Sequence, residues 1–129
     1  MYFRNTMAII AREKLAGLGK HWGVLMLDGM VIHNTAEANI QIVSYEEFAS
    51  GKKVEIVRNI PQSEWLATNW RIHHELHNPK KYHLTDNNCE IVANRIAGLK
   101  PESQQVIALA VLAIIGLIVF LPNKTLSIK

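Results

Sequence analysis

From Val106 to Leu121 the chain carries no charged or polar side chain, and Pro101 and Pro122 bracket the stretch. A helix drawn through that window, at about 1.5 Å per residue, is about 30 Å long, the thickness of a bilayer's hydrocarbon core. A helix on the surface of a small globular domain shows water a polar stripe, and this run has none at any helical phase. The pattern therefore predicts a C-terminal hydrophobic, transmembrane helix over residues 101–122 and a short tail over 123–129, with a buried core helix as the alternative. Glu102, Ser103, Gln104 and Gln105 would form an interfacial first turn. Lys100 precedes the window while Lys124 and Lys129 follow it, so charge leaves the orientation open.

Residues 1–100 are left to form one domain. In a chain of 129 residues, 49% hydrophobic and 19% charged residues exclude a disordered or multidomain protein. A net charge of +3 with scattered Lys and Arg gives no footprint for nucleic acid, which is excluded as a partner. One cysteine, Cys89, rules out a disulfide framework and a Cys-rich zinc site, and suits either a reducing compartment, with the domain on the cytoplasmic side of a membrane, or a chain whose single thiol has a chemical task. Arg4, Arg12, Glu13 and Lys14 interrupt the apolar stretch from Met7 to Ala11, so no signal peptide is expected.

Strand-length apolar runs at 6–12, 21–27, 30–34, 39–43 and 53–57 alternate with helical signals. Ser44 with Glu47 makes a capping box for a short helix that Gly51 closes, and Pro61 opens a longer one reaching His77, with Trp65, Ile72 and Leu76 as its apolar stripe. Asn88 is a good N-cap for a last helix running to Gly98. The class is α+β, a small antiparallel sheet packed with helices.

Chemistry concentrates in a few residues. Cys89 falls in the first turn of that last helix, where free N–H groups and the helix dipole favour thiolate. A base must come from the six histidines, and His21 and His33 flank the Asp28-Gly29 hairpin signal. A two-residue loop would send them to opposite faces of the sheet. A three-residue loop with left-handed Gly29 would pair His33 with Gly23 and bring His21 onto the same face, one diagonal step away. His73 and His77 have i, i+4 spacing without a clear third ligand, and His74-Glu75-Leu76-His77 is one residue short of the zincin pattern, so neither a metal nor a cofactor is expected. Trp70 is the better candidate than Trp65 for an exposed, interfacial tryptophan.

His21-Trp22-Gly23-Val24, Asp28-Gly29, His33 and Asn88-Cys89-Glu90, followed by a hydrophobic segment, resemble the lecithin retinol acyltransferase family and its small phospholipase/acyltransferase relatives. These are circularly permuted members of the papain-like superfamily, which also holds the NlpC-type peptidases. The resemblance covers roughly residues 18–100 and implies a permuted papain-like fold. It implies Cys89 as nucleophile, His21 as general base and His33 as the group that orients His21, with Asn88 and Trp22 as oxyanion or supporting residues. It also implies a membrane-anchored thiol phospholipase A/acyltransferase. Such an enzyme takes an acyl group from a glycerophospholipid through a Cys thioester and passes it to water, an amine or an alcohol. Phospholipid, as membrane and as substrate, is the expected partner, and oligomeric state stays open. An NlpC-type amidase and an inactive membrane-anchored interaction protein are the alternatives. The chain departs from the family at Gly19-Lys20, where relatives often carry a polar aromatic, and at Ile91-Val92, where they tend to carry His-Phe.

Overall fold

The computed structural model describes residues 5–120. Five strands, β1 (Ala8–Glu13), β2 (Lys20–Leu25), β3 (Val31–Thr35), β4 (Asn39–Val43) and β5 (Val54–Asn59), form one antiparallel sheet in the order β4-β3-β2-β1-β5. Helix α1 (Tyr45–Ala49) links β4 to β5, while α2 (Trp65–His77), α3 (Cys89–Ile96) and α4 (Gln104–Phe120) follow the sheet in sequence.

Strand alternation gives the sheet two apolar faces. Ile9, Val24 and Ile32 point to one side and meet Ile72 of α2 and Val92, Ala93 and Ile96 of α3. Ala8, Ile10, Leu25, Val31 and Val43 point to the other and are covered by Phe48 of α1. The local signals explain the helices. The Ser44 hydroxyl accepts from Glu47 N, and Ser50 ends α1 in a left-handed conformation. A 3-10 turn at Gln62–Glu64 follows Pro61 and leads into α2, and the Asn88 side chain accepts from Ile91 N to start α3. Trp65 packs against the core and donates Nε1–H to the Ile60 carbonyl at 2.9 Å, whereas Trp70 is exposed and stacks on His74.

The hairpin between β2 and β3 takes the three-residue form. Met26 N donates to Met30 O at 2.8 Å, Gly29 has φ +85°, and His33 pairs with Gly23. On the Phe48 face this lines up Arg12, His21, His33 and Gln41, which belong to four adjacent strands.

The transmembrane expectation for 101–122 needs correction. The described apolar helix begins at Gln104 and reaches Phe120, 17 residues or about 26 Å. Among the described residues no helix is long and apolar enough to cross a membrane. The physical reason lies in the first turn, which belongs to the domain instead of lying at a bilayer interface. The buried Glu90 carboxylate accepts from Ser103 Oγ at 2.7 Å, Gln104 N at 3.0 Å and Gln105 Nε2 at 3.1 Å. A C-terminal membrane anchor is therefore not supported; residues 121 and 122 of the window and the 123–129 tail lie outside the described residues.

Candidate active site

Asn88 sets the position of Cys89. Its side-chain Oδ1 caps α3, and its Nδ2 donates to Leu84 O at 2.8 Å, so both ends of the amide hold backbone. Asn88 thus acts as a support for the turn. The chain before it is tied down as well: Asn34 Nδ2 donates to Asn87 O at 2.7 Å, and Arg95 Nη2 donates to Asn87 Oδ1 at 2.9 Å. Arg95 also forms an ion pair with the buried Glu75 of α2.

From this turn the Cys89 sulfur reaches the edge of β2. The β2–β3 ladder begins at Gly23, which leaves Lys20 to Trp22 unpaired on that side. Gln105 fills part of the gap as a strand residue would, its Oε1 accepting from Lys20 N at 2.7 Å and its Nε2 donating to Lys20 O at 3.2 Å. Cys89 fills the rest. Its Sγ lies 4.0 Å from Lys20 O and receives the backbone N–H of Trp22 and of Glu90.

Sequence position favoured a thiolate, and the structure reverses that. Burial pushes the Cys89 thiol up, and the backbone donors together with Lys14 offset only part of the effect. With the residue 6% exposed, desolvation of the charge outweighs the helix terminus.

His21 and His33 meet on the Phe48 face. His21 Nε2 is 2.8 Å from His33 Nδ1, with ring centroids 5.0 Å apart at 71°. Phe48 lies 5.4 Å from one ring and 5.7 Å from the other, and Gly23 makes room for it. A Cβ on Gly23 would stand 2.9 Å from Phe48 Cε2 and 2.8 Å from Val31 Cγ1. Burial holds both rings neutral. His21 is lowered to about 3, by desolvation first and by His33, Arg12 and Lys14 next, and His33 to about 4, by desolvation and then Arg12.

Cys89 and His21 open into one cavity of about 290 Å³, which Arg12, Lys14, Glu37 and Tyr82 also line. Among the described residues no hydrogen bond joins Sγ to the imidazole; the bonds of Cys89 run to backbone. Arg12 pairs with His21 across the strands and donates Nε–H to Phe48 O at 2.5 Å, with its guanidinium over the Phe48 ring. Tyr82 is anchored through its backbone N–H to Asn39 Oδ1 at 2.9 Å, and burial followed by the nearby Cys89 and Glu37 charges raises its phenol.

The structure thus brings Cys89, His21 and His33 to one end of the sheet. Trp22 lies apart: its indole packs into the core on the α3 side, its buried Nε1 has no partner among the described residues, and its backbone N–H reaches the sulfur. His73 and His77 are joined by a bond from the His77 ring to the His73 carbonyl at 2.7 Å, and no group of three metal-ligating side chains occurs among the described residues.

Gln41, Arg12, Tyr82 and Gln105 were not visible as site residues in the sequence. For Gln41 a signal existed, because extending the hairpin register one strand further places it opposite His33. The other three are brought in by tertiary folding, without a local pattern. Compared with known families, with curated proteins and with solved structures, the chain finds no match.

Proposed function

We propose that this protein is a thiol-dependent acyl hydrolase or acyltransferase that cleaves a glycerophospholipid ester, as its resemblance to the lecithin retinol acyltransferase family implies. The observation that carries the reading is that His21, which lines one cavity with a cysteine at a helix N-terminus, has its Nε2 2.8 Å from His33 Nδ1. A nucleophile, a base and a group that orients the base are the parts acyl transfer requires.

The resting site is neutral thiol and neutral imidazole, so proton transfer accompanies attack. His21 takes the thiol proton as Cys89 Sγ bonds to the ester carbonyl carbon, and the carbonyl oxygen becomes an oxyanion. The carbon–oxygen bond to glycerol then breaks, His21 returns the proton to the departing oxygen, and a lysophospholipid leaves behind a thioester. Water, an alcohol or an amine attacks the thioester, losing its proton to His21, which hands it back to sulfur. The backbone N–H of Cys89 is one donor for the oxyanion. Tyr82, which lines the cavity, offers the hydroxyl that the family's aromatic before the first histidine would supply and that Gly19-Lys20 lacks. Arg12 and Lys14 on the same wall suit an ester with a phosphodiester beside it, and Glu37 suits an amine-bearing head group. That division of charge supports a zwitterionic phospholipid over a peptide amide.

The test is the intact mass of the purified protein after incubation with phosphatidylcholine in mixed micelles, beside Cys89→Ala. A hydroxylamine-labile acyl adduct on the wild type alone, with lysophospholipid released, is the expected result. No adduct and no lysophospholipid across several phospholipid classes overturns the reading.

A further inference from the structure

His33 has a second ring nitrogen, and Gln41 meets it. Gln41 Nε2 lies 3.1 Å from His33 Nε2, because the two residues face each other directly across β3 and β4 and such pairs share a face. Gln41, His33 and His21 therefore form a line with steps of 3.1 and 2.8 Å. A neutral imidazole carries one proton on one of its two nitrogens, so each bond in the line fixes the direction of the next. Burial keeps both rings neutral through physiological pH, which preserves that count.

The line has two polarities. In the first, the Gln41 amide N–H donates to His33 Nε2, and His33 Nδ1–H donates to His21 Nε2. The His21 proton then sits on Nδ1, and the ring has no lone pair for a thiol. In the second, the amide turns by half a rotation and its oxygen accepts from His33 Nε2–H. His33 Nδ1 then accepts from His21 Nε2–H, and His21 Nδ1 becomes a free base. Among the described residues His21 Nδ1 makes no hydrogen bond, while Nε2 is engaged by His33.

We propose that Gln41 is a positioning residue that selects the tautomer of His21. The amide orientation in the structure holds the resting tautomer, and the turned amide releases the base. The catalytic consequence rests on the thioester reading, while the tautomer itself is a property of the protein alone, so the two can fail separately.

The experiment is nitrogen-15 long-range correlation spectroscopy of histidine-labelled protein at about pH 7, where unperturbed histidines are also mostly neutral, for the wild type, Gln41→Glu and Gln41→Leu. Backbone spectra of each variant report on the fold. In the wild type His21 Nδ1 is expected to be the protonated nitrogen. In Gln41→Glu, which can only accept when ionised, the proton is expected on Nε2, and in Gln41→Leu the two forms are expected to mix. Acyl-adduct formation should be kept in Gln41→Glu and lowered by about tenfold or more in Gln41→Leu, within the range a misplaced base costs. His21 signals that are the same in all three proteins, or a Gln41→Glu variant with the proton still on Nδ1, overturn the proposal.

Discussion

On the Phe48 face of the sheet, His21, His33, Gln41 and Arg12 each have a named partner in a neighbouring strand or helix. Along α4, from Ile107 to Phe120, large apolar side chains stand exposed, Phe120 by 85%. The first region is tied strand to strand by these bonds, so its chemistry follows from its own geometry. Among the described residues the second is held at its first turn, where the Glu90 carboxylate gathers Ser103, Gln104 and Gln105. Glu90 is also the residue after Cys89. One buried carboxylate thus joins the reactive turn to the apolar helix, and an anion at a helix N-terminus is favourably placed for it.

Breaking that joint should have the largest effect. Glu90→Ala leaves the Ser103 hydroxyl and the Gln104 N–H without the carboxylate that accepts from them, and should cost about 2–4 kcal/mol of stability. Chemical denaturation measures the loss, and hydrogen exchange should show the first turn of α4 opening before the sheet does. A smaller loss, about 1–3 kcal/mol, is expected for Gly23→Ala, because its Cβ would force Phe48 and Val31 to move within a packed face. Ring chemical shifts of His21 and His33 should change with it, while those of residues on the α3 side hold.

Acid sharpens the comparison from another side. An unfolded histidine takes up its proton near 6.5, but folded His21 and His33 resist until about 3 and about 4. Between those values the unfolded chain binds more protons, so stability is full above about 6.5 and falls as the pH drops towards 4. The slope is at most about 1.4 kcal/mol per pH unit for each histidine, reduced by their partial exposure. Denaturation midpoints across that range should fall less steeply in His21→Gln. The smallest effects belong to α4: Leu112→Gln and Ile118→Gln, at exposed positions, should change stability by less than about 0.5 kcal/mol.

The same contrast explains what could be read in advance. Strand alternation and the Asp28-Gly29 turn fix faces and register by local rules, so once the three-residue loop is chosen, His21 and His33 fall together. Asn88 announced α3 because an N-cap is a local device. The β3–β4 turn was harder, since Ala36-Glu37-Ala38 has no Gly or Pro. Its geometry comes from Asn39 in a left-handed conformation and from the Thr35 hydroxyl accepting Ala38 N. That turn decides whether the hairpin register carries on to Gln41. The apolar run at 106–121 misled because hydropathy alone does not say where a helix starts, and Glu90 sets that start from another helix. The thiolate expectation failed for a similar reason: a helix terminus is visible in sequence, whereas the depth at which Cys89 is buried is not.

The central claim is a thiol kept neutral by burial and activated by a neutral histidine at the moment of attack. The most direct measurement is the rate of Cys89 alkylation by iodoacetamide from about pH 4 to about pH 10, a range that brackets both kinds of thiol. Because only thiolate reacts and the Cys89 thiol lies above its ordinary value of 9.0, the rate should be low at neutral pH and climb only towards the alkaline end. A fast rate already on a plateau between about pH 5 and pH 8, the mark of a thiolate–imidazolium pair, would contradict the account.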